Sequence, residues 1–296
     1  MHSPPLRWGD QSLEQLRLCL RRIRQQRRKL KQHHDPEALH QLRVNLRRLR
    51  ACVELADAAM LLPKALKAQQ VARQGRCFGR VRDLDVLCDQ LSGQLLPHVH
   101  HSEAQQLKRC IKRLERQRKQ AQRLAQAQLH SDALRQWLRR SEHWLSKACF
   151  TALGARPLLE VLPDLQLRQL STLLLHPGWS VEDHRIQAQA LHGLRKQIKA
   201  SRYQADGFRA FYGPDYGAWI DDLRLLQDCL GGLQDLDVLR ALLRHDLHQG
   251  MPQLEQQLQD RAQEHWQLFV GLRQRYCDGG SRQQLRLLVA SCQPGA

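Results

Sequence analysis

Two stretches of this sequence occur twice, and both recur at the same interval. Residues 38–50 have the sequence ALHQLRVNLRRLR, and residues 190–202 have ALHGLRKQIKASR. Farther along the chain, residues 77–87 have CFGRVRDLDVL, and residues 229–239 have CLGGLQDLDVL. The interval is 152 residues for both pairs, which two unrelated motifs would rarely share by chance. The chain therefore contains two copies of one structural unit, and its fold has to accommodate that unit twice.

Apolar residues recur at helical spacing along nearly the whole chain. In the first copy, Leu39, Leu42, Leu46, Leu49 and Val53 follow one another at intervals of three or four residues. Leu, Ala, Gln and Arg are abundant whereas aromatic residues make up 5% of the chain, a composition that favours helix over strand. No stretch of useful length alternates apolar and polar residues as a strand would. The sequence therefore predicts an all-α protein.

Proline and glycine residues indicate where helices begin, bend and end. We expect Asp35 to cap a helix that begins at Pro36, because Asp is a good N-cap and Pro is tolerated in the first turn. The segment from Gly75 to Asp83 is expected to bend the third helix. Asp83 and Asp235 are then candidate N-caps that follow glycine-containing turns.

The segment 154–163, which contains glycine and proline, is the best candidate for a boundary between the two copies. Together the copies form one duplicated domain over residues 12–277. The predicted segments are an N-terminal tail (1–11), a first repeat (about 12–153), a second repeat (about 164–277) and a C-terminal tail (278–296) with room for a short helix.

The chain carries a large excess of positive charge. It has 47 Lys and Arg residues against 29 Asp and Glu residues, which gives a formal net charge of +18 at pH 7. Such an excess attracts anions through its electric field and through the release of counterions. The composition therefore predicts a polyanionic partner.

The cysteines and the N-terminus indicate the compartment. The nine cysteines are odd in number and include no Cys-x-x-Cys pair, which is typical of reduced thiols in a cytoplasm. Residues 1–9 lack the apolar core of a signal peptide, and no run approaches the ~18 to 20 apolar residues that span a membrane. We therefore expect a cytoplasmic protein with no membrane partner.

Each copy of the first motif places one histidine and three basic residues at positions i, i+3, i+7 and i+10 of a helix. The first stripe consists of His40, Arg43, Arg47 and Arg50, and the second stripe consists of His192, Arg195, Lys199 and Arg202. At about 100° per residue, the four side chains of a stripe fall within an arc of roughly 80°. The leucines of the same helix lie about 100° away, so each stripe borders the buried face.

A row of like charges favours an anionic ligand. Cations at this spacing destabilise a helix by a few tenths of a kcal/mol per pair, and the row is present in both copies. Arginine suits phosphate because its planar fork donates two parallel hydrogen bonds, and imidazole adds a donor that gains charge as the pH falls.

The alternative is that the arginines pair with acidic residues of neighbouring helices. Asp83, Asp85, Asp235 and Asp237 are the natural partners, because they recur at the same distance from the histidine in each copy. For these four aspartates we expect a structural, orienting role.

The two motifs closely resemble those of the CHAD domain, the conserved histidine α-helical domain. The resemblance is carried by HQLRVNLRRLR and HGLRKQIKASRY together with RDLDVL and QDLDVL, and it covers about residues 12–277. It implies two similar four-helix units related by pseudo-twofold symmetry, with a basic groove or pore between them. It also implies binding of inorganic polyphosphate by both stripes. Equal contributions from the two copies are not implied, because Ala200 and Ser201 stand where the first copy has Arg48 and Leu49.

Non-catalytic binding of inorganic polyphosphate is therefore the leading hypothesis. The chain lacks the Glu-x-Glu-x-Lys pattern of the CYTH-type triphosphate-hydrolysing domains that some CHAD proteins carry. It also lacks a glycine-rich phosphate loop and a dinucleotide motif, so neither catalysis nor a cofactor is expected. Polyphosphate granules are a candidate location within the cytoplasm.

Three other classes of function stay open. A nucleic-acid-binding protein would explain the basic helices, but the scarcity of aromatic residues and the absence of a known reading motif disfavour it. A phosphatase or phosphotransferase would need a positioned nucleophile or a metal held by carboxylates, and the DLD aspartates are candidate ligands of a divalent ion. The third class is a scaffold that binds an acidic protein or a granule surface.

Overall fold

The fold is all-α, as the sequence predicts. The structure is a computed structural model that describes residues 5–33, 35–246 and 251–293, and the ends of the predicted tails, 1–4 and 294–296, lie outside this range. The described residues form ten α-helices and no β-strand, and none of these helices is long and apolar enough to cross a membrane. The helices are α1 (Trp8–Gln32), α2 (Pro36–Ala56), α3 (Ala68–Asp89), α4 (His101–His130), α5 (Asp132–Ser146), α6 (Leu158–Leu174), α7 (Ala188–Asp206), α8 (Pro214–Asp246), α9 (Pro252–Cys277) and α10 (Gly279–Ala290).

The chain folds as two compact units. Unit 1 comprises the residues up to His98 and Leu107–Leu158, and unit 2 comprises Val99–Gln106 and the residues from Leu159 onward. Unit 1 carries the first stripe on α2, and unit 2 carries the second stripe on α7. The pseudo-twofold relation between the units stays a prediction.

α2 begins where the sequence predicts. One side-chain oxygen of Asp35 accepts hydrogen bonds from the backbone N–H groups of Glu37 and Ala38, at 2.9 and 3.1 Å, and Pro36 occupies the first turn. The apolar residues of the buried face are Leu39, Leu42, Leu46, Leu49 and Val53. The first stripe lies beside this face, at its edge.

α3 is continuous, so the predicted bend and the predicted cap at Asp83 are wrong. Gly75 and Gly79 lie inside the helix, where a glycine costs about 1 kcal/mol relative to alanine. The helix persists because its apolar face continues across both glycines. The buried residues on that face are Val71, Phe78, Val81, Leu84 and Leu87.

The second copy shows the same departure from the sequence prediction. α8 is one helix over Pro214–Asp246, so Asp235 is a mid-helix residue and not an N-cap. α6 begins at Leu158, within the predicted boundary segment, because the buried residues Val161 and Leu162 extend its apolar face.

The segment predicted as a C-terminal tail contains α10. The side chain of Asp278 caps this helix by accepting a hydrogen bond from the backbone N–H of Ser281 at 2.7 Å. Leu285 and Val289 are buried. This part of the segment is therefore packed onto unit 2.

Candidate anion-binding site

The four residues of the first stripe lie at different depths along α2. Arg47 and Arg50 are exposed, His40 is half-buried, and Arg43 is buried, with 8% of its surface accessible. Helical spacing places all four on one arc, but it does not distinguish these depths. The arginines of the stripe therefore differ in environment and have to be considered one by one.

Arg43 joins α2 to α3. Its guanidinium donates hydrogen bonds to the carbonyl oxygen of Gly79 at 2.6 Å and to Oδ1 of Asp83 at 3.2 Å. Burial lowers the pKa of Arg43, the charge of Arg47 lowers it further, and Asp83 opposes the shift. This pairing is the interhelical alternative that the sequence left open, so Arg43 has a structural role in addition to its charge.

α2 and α3 border a basic groove on the surface of unit 1. Two adjoining cavities of about 470 and 220 Å³ lie along it and share Arg50 and Arg76 in their walls. Arg73 lines the larger cavity and Arg47 lines the smaller one. We call Arg47, Arg50, Arg73 and Arg76 the groove cations.

Most of the groove cations have no partner among the residues that the structure describes. Arg50 pairs with Glu54, one helical turn away on α2, at 3.0 Å. The other three make no hydrogen bond or ion pair with any of the described residues. The groove therefore presents positive charge that the folded unit leaves without a counterion.

Arg73 and Arg76 are not predicted by the repeat, because neither has a basic counterpart in the second copy. Leu225 and Asp228 stand at the equivalent positions, 152 residues later. The available signal was their helical spacing, since Arg73, Arg76 and Arg80 follow one another at i, i+3 and i+7. The repeat reveals only features that both copies share, so it does not point to basic residues that only the first copy has.

His40 stands at the N-terminal end of the first stripe among cations. Burial lowers its pKa, the charge of Arg82 on α3 lowers it further, and two arginines of the stripe add to the shift, whereas Glu37 opposes it. The imidazole is therefore neutral at pH 7 in the unliganded protein. A bound anion would favour its protonated form.

The second stripe has more partners within the protein. Nδ1–H of His192 donates a hydrogen bond to Oε1 of Gln234 on α8, and Nε–H of Arg202 donates to Oε1 of Gln227 at 3.1 Å. The guanidinium of Arg202 also lies over the ring of Tyr203, 4.5 Å from its centroid. The remaining nitrogen of His192, Nε2, donates only when the imidazole is protonated.

Arg195 is the counterpart of Arg43, yet it has no partner of its own. Its Nε is buried, and no acceptor among the described residues lies within hydrogen-bonding distance of it. The side chain packs closely against α8. A Cβ atom added to Gly231 of that helix would lie only 3.4 Å from the Nε atom of Arg195. A buried donor without an acceptor costs about 1–3 kcal/mol. An incoming anion would supply the missing acceptor beside Lys199, which is half-buried one turn farther along α7.

Two of the four aspartates have neighbours outside the stripes. Oδ1 of Asp85 lies 4.0 Å from Nε of Arg118 on α4. Burial raises the pKa of Asp237, which Arg240 and His184 oppose, and the residue lines a cavity of about 560 Å³ within unit 2. Among the residues that the structure describes, no group of three or more His, Cys, Asp or Glu side chains is placed to hold a metal ion.

Comparison with known proteins bears on both the fold and the family. The family model of the CHAD domain matches residues 14–244. A solved CHAD domain from the plant Ricinus communis is 22% identical, with a TM-score of 0.65 over 100% of this chain and 96% of that chain. PptA from Streptomyces chartreusis is 15% identical, with a TM-score of 0.66 over 95% of this chain and 99% of that chain. At these identities the structural likeness concerns the fold, and no curated protein matches the chain at a significant level.

Proposed function

The chain belongs to the CHAD domain family, and from that membership we propose that it binds inorganic polyphosphate, without catalysis, through the two His/Arg/Lys stripes. The observation that carries the proposal is Arg195. Its guanidinium is held against α8 with a buried Nε that has no acceptor in the described part of the chain. A phosphate oxygen is the acceptor that a guanidinium fork binds best.

In unit 1 the groove cations would supply most of the contacts. Arg47, Arg73 and Arg76 have no ion-pair partners to give up among the described residues, so their forks can turn to phosphate at little cost. Arg43 keeps its bonds to α3 and adds charge beneath the groove. His40 donates a hydrogen bond when a bound phosphate favours its protonated form.

In unit 2 the contacts would come from Arg195, Lys199 and Arg202. His192 would join them only in its protonated form, because Gln234 already occupies the Nδ1–H donor. The two stripes are therefore expected to contribute different numbers of contacts.

The positions of the DLD aspartates of unit 1 support binding rather than hydrolysis. Asp83 is bonded to Arg43, and Asp85 lies beside Arg118. These carboxylates, which are the candidate ligands of a divalent ion, each have an arginine neighbour. We place this non-catalytic protein in the cytoplasm, with polyphosphate granules as its site of action.

The proposal is tested by titrating the R47E/R195E variant with long-chain polyphosphate. Neither arginine makes a hydrogen bond or an ion pair with the described residues that the change would remove, so the fold should persist. We expect the affinity to fall at least about tenfold, since two charge-assisted contacts are replaced by repulsion. The matched control is R139E/R140E, which makes the same charge change at two exposed positions of α5 and should weaken binding less than about threefold through the general field.

An intact variant that binds as tightly as the wild type would remove the stripes from the proposal. Competition distinguishes the runner-up function. If duplex DNA or RNA of equal charge displaces polyphosphate at physiological salt, the protein is a nucleic-acid-binding protein instead.

A further inference from the structure

The outer face of α4 carries a third row of cations that neither repeated motif contains. We call it the α4 row, and its members are Arg109, Lys112, Arg116, Lys119 and Arg123, all exposed. They stand at i, i+3, i+7, i+10 and i+14, which places them within an arc of about 80° over a length of about 21 Å. The arc is opposite the buried face of α4. The buried residues of that face are Leu107, Cys110, Ile111, Leu114, Ala121, Ala125 and Leu129.

The five side chains of the α4 row have no ion-pair partner among the described residues. None of them makes a hydrogen bond with those residues either. Like charges at this spacing repel one another by a few tenths of a kcal/mol per neighbouring pair. The row therefore costs stability in the unliganded protein, and an external anion would remove that cost.

The basic residues of α1, in the same unit, differ from the α4 row because they form hydrogen bonds and ion pairs within the protein. Arg17 donates to the carbonyl oxygen of Leu145 at 3.1 Å. Arg21 pairs with an acid of its own helix at 2.6 Å, and Arg24 pairs with Glu142 on α5 at 2.9 Å. Such pairing is absent from the α4 row among the described residues.

The second copy lacks the row. The residues 152 positions later, on α9, are Arg261, Glu264, Leu268, Gly271 and Arg275. One of these is acidic and two are uncharged, and Arg275 pairs with Asp222. The helix can thus occupy this place in the chain without a cationic face, so packing alone does not explain the α4 row.

The chemistry of the row selects a linear phosphate chain. α4 contains no aromatic residue on which a base could stack. The row itself contains no apolar side chain that would enter a lipid surface. Five cations in line can meet successive charges of a chain that lies along the helix, and such contacts are independent of any base sequence.

We propose that the α4 row is a second contact surface for the same polyphosphate chain, reached only by chains long enough to extend beyond the stripes. This inference rests on the proposed function. A chain already held by unit 1 presents its free end to α4 at a high effective concentration, so weak contacts there add to the overall affinity. Chain-length preference is thereby a property of the α4 row.

The experiment compares short and long polyphosphate chains on the K112Q/R116Q/K119Q variant of the full-length protein. We expect binding of long chains to weaken about tenfold and binding of short chains to change less than twofold. By analogy with single-stranded nucleic acids, the loss of three contacts should also lower the salt dependence of long-chain binding, by about 2 in the slope of log affinity against log salt.

The matched control is R21Q/R24Q/R28Q, which removes three charges from α1 of the same unit at similar helical spacing. It should change the affinity for short and long chains by the same small factor, because Arg21 and Arg24 are already paired with acids and their loss acts on a distant ligand only through the general field. Circular dichroism and thermal unfolding establish that both variants keep the wild-type fold.

The outcomes separate the inference from the proposed function. If the wild type binds both chain lengths and the α4 variant loses affinity equally for both, or for neither, the α4 surface is refuted. The proposed binding by the stripes is then unaffected. If the variant loses only binding of duplex DNA, the row serves nucleic acid and the inference is wrong. If the wild type binds no polyphosphate of any length, the proposed function fails and the inference fails with it.

Discussion

The two copies of the repeat present the same stripe in different electrostatic surroundings. The charge of Arg82, on α3, lowers the pKa of His40, whereas at the equivalent position of the second copy the neutral amide of Gln234 accepts a hydrogen bond from His192. The first histidine thus lies among cations with no hydrogen-bond partner in the part of the chain that the structure describes, and the second is already bonded. A shared motif has produced two different binding environments.

The difference extends over the helices that flank the stripes. Arg73, Arg76 and Arg80 of α3 correspond to Leu225, Asp228 and Gly232 of α8. The α4 row likewise has no basic counterpart at three of its five positions on α9. Duplication has kept the apolar faces and the stripes in register, while the surrounding charge belongs mainly to unit 1. We therefore expect unit 1 to supply most of the affinity for a polyanion.

The equivalent arginines show the reverse distribution of internal bonds. Arg43 is bonded to Gly79 and Asp83 of α3, whereas Arg195 has no such bond in the described part of the chain. The same residue at the same register thus stabilises one copy and is left unsatisfied in the other. From this contrast we expect Arg43 to act mainly in folding and, under the proposed function, Arg195 to act mainly in binding.

The largest effect is expected from exchanging the charge of the two copies. The R73L/R76D variant gives α3 the residues of α8, and it should weaken polyphosphate binding about 30- to 100-fold, because two phosphate contacts are lost and one acid is introduced. The reciprocal L225R/D228R variant should strengthen binding about fivefold. Titration calorimetry at fixed salt measures both, and equal, small effects of the two exchanges would contradict the dominance of unit 1.

The next largest effect is on the free energy of unfolding, which should distinguish Arg43 from Arg195. R43A is expected to lower the free energy of unfolding by about 2 kcal/mol, because the hydrogen bonds of the buried guanidinium to the part-buried carbonyl of Gly79 and to Asp83 are lost. R195A should not lower it and is expected to raise it by up to about 1 kcal/mol, since no bond to the described residues is lost and a buried donor without an acceptor is removed. Urea unfolding of the unliganded protein measures both values. An R195A variant as unstable as R43A would show that the second arginine is structural after all.

The smallest effect concerns pH and the first histidine. Burial and neighbouring arginines lower the pKa of His40 in the free protein, and a bound phosphate raises it, so binding takes up a proton. Between pH 7.5 and 5.5 the affinity of the wild type should therefore increase more than that of H40Q, by about threefold. The difference between the two binding curves across this range measures it.

In the absence of a ligand, lowering the pH has an unfavourable effect through His40, because it lowers the stability of the folded protein. The unfolded chain binds a proton at His40 more readily than the folded protein does, so this residue lowers stability as the pH falls below its ordinary pKa of about 6.5. H40Q should remove that loss. A variant whose affinity and stability follow the wild type at every pH would show that His40 does not titrate at the site.

The sequence was sufficient for the fold class, the cap at Asp35 and the placement of both stripes, because each of these follows from spacing along a helix. The sequence was insufficient where the role of a residue depends on how deeply its side chain is buried. Arg43 and Arg47 share one arc, yet one is buried and the other is exposed. Periodicity gives an angle around the helix axis and does not give the distance to the next helix.

The errors in the sequence prediction have a similar cause. Gly75 and Gly79 favour a break by local propensity, but burial of Phe78 and Val81 between and after them outweighs that preference. Arg73 and Arg76 lack basic counterparts in the second copy, and their helical spacing alone does not show that they face α2 across a groove. The packing of α3 on α2 reveals that position.

The bond between Arg43 and α3 has a consequence for the speed of capture. Because Asp83 and the carbonyl of Gly79 already fix α2 against α3, the groove exists before any ligand arrives and needs no rearrangement to form. If the protein binds polyphosphate as proposed, we expect association at unit 1 to be governed by diffusion in the field of the surrounding arginines, with rate constants on the order of 10⁸–10⁹ M⁻¹s⁻¹ at low ionic strength. The hydrogen bonds that Arg43 makes within the protein would thereby allow the neighbouring groove cations to bind a phosphate chain rapidly.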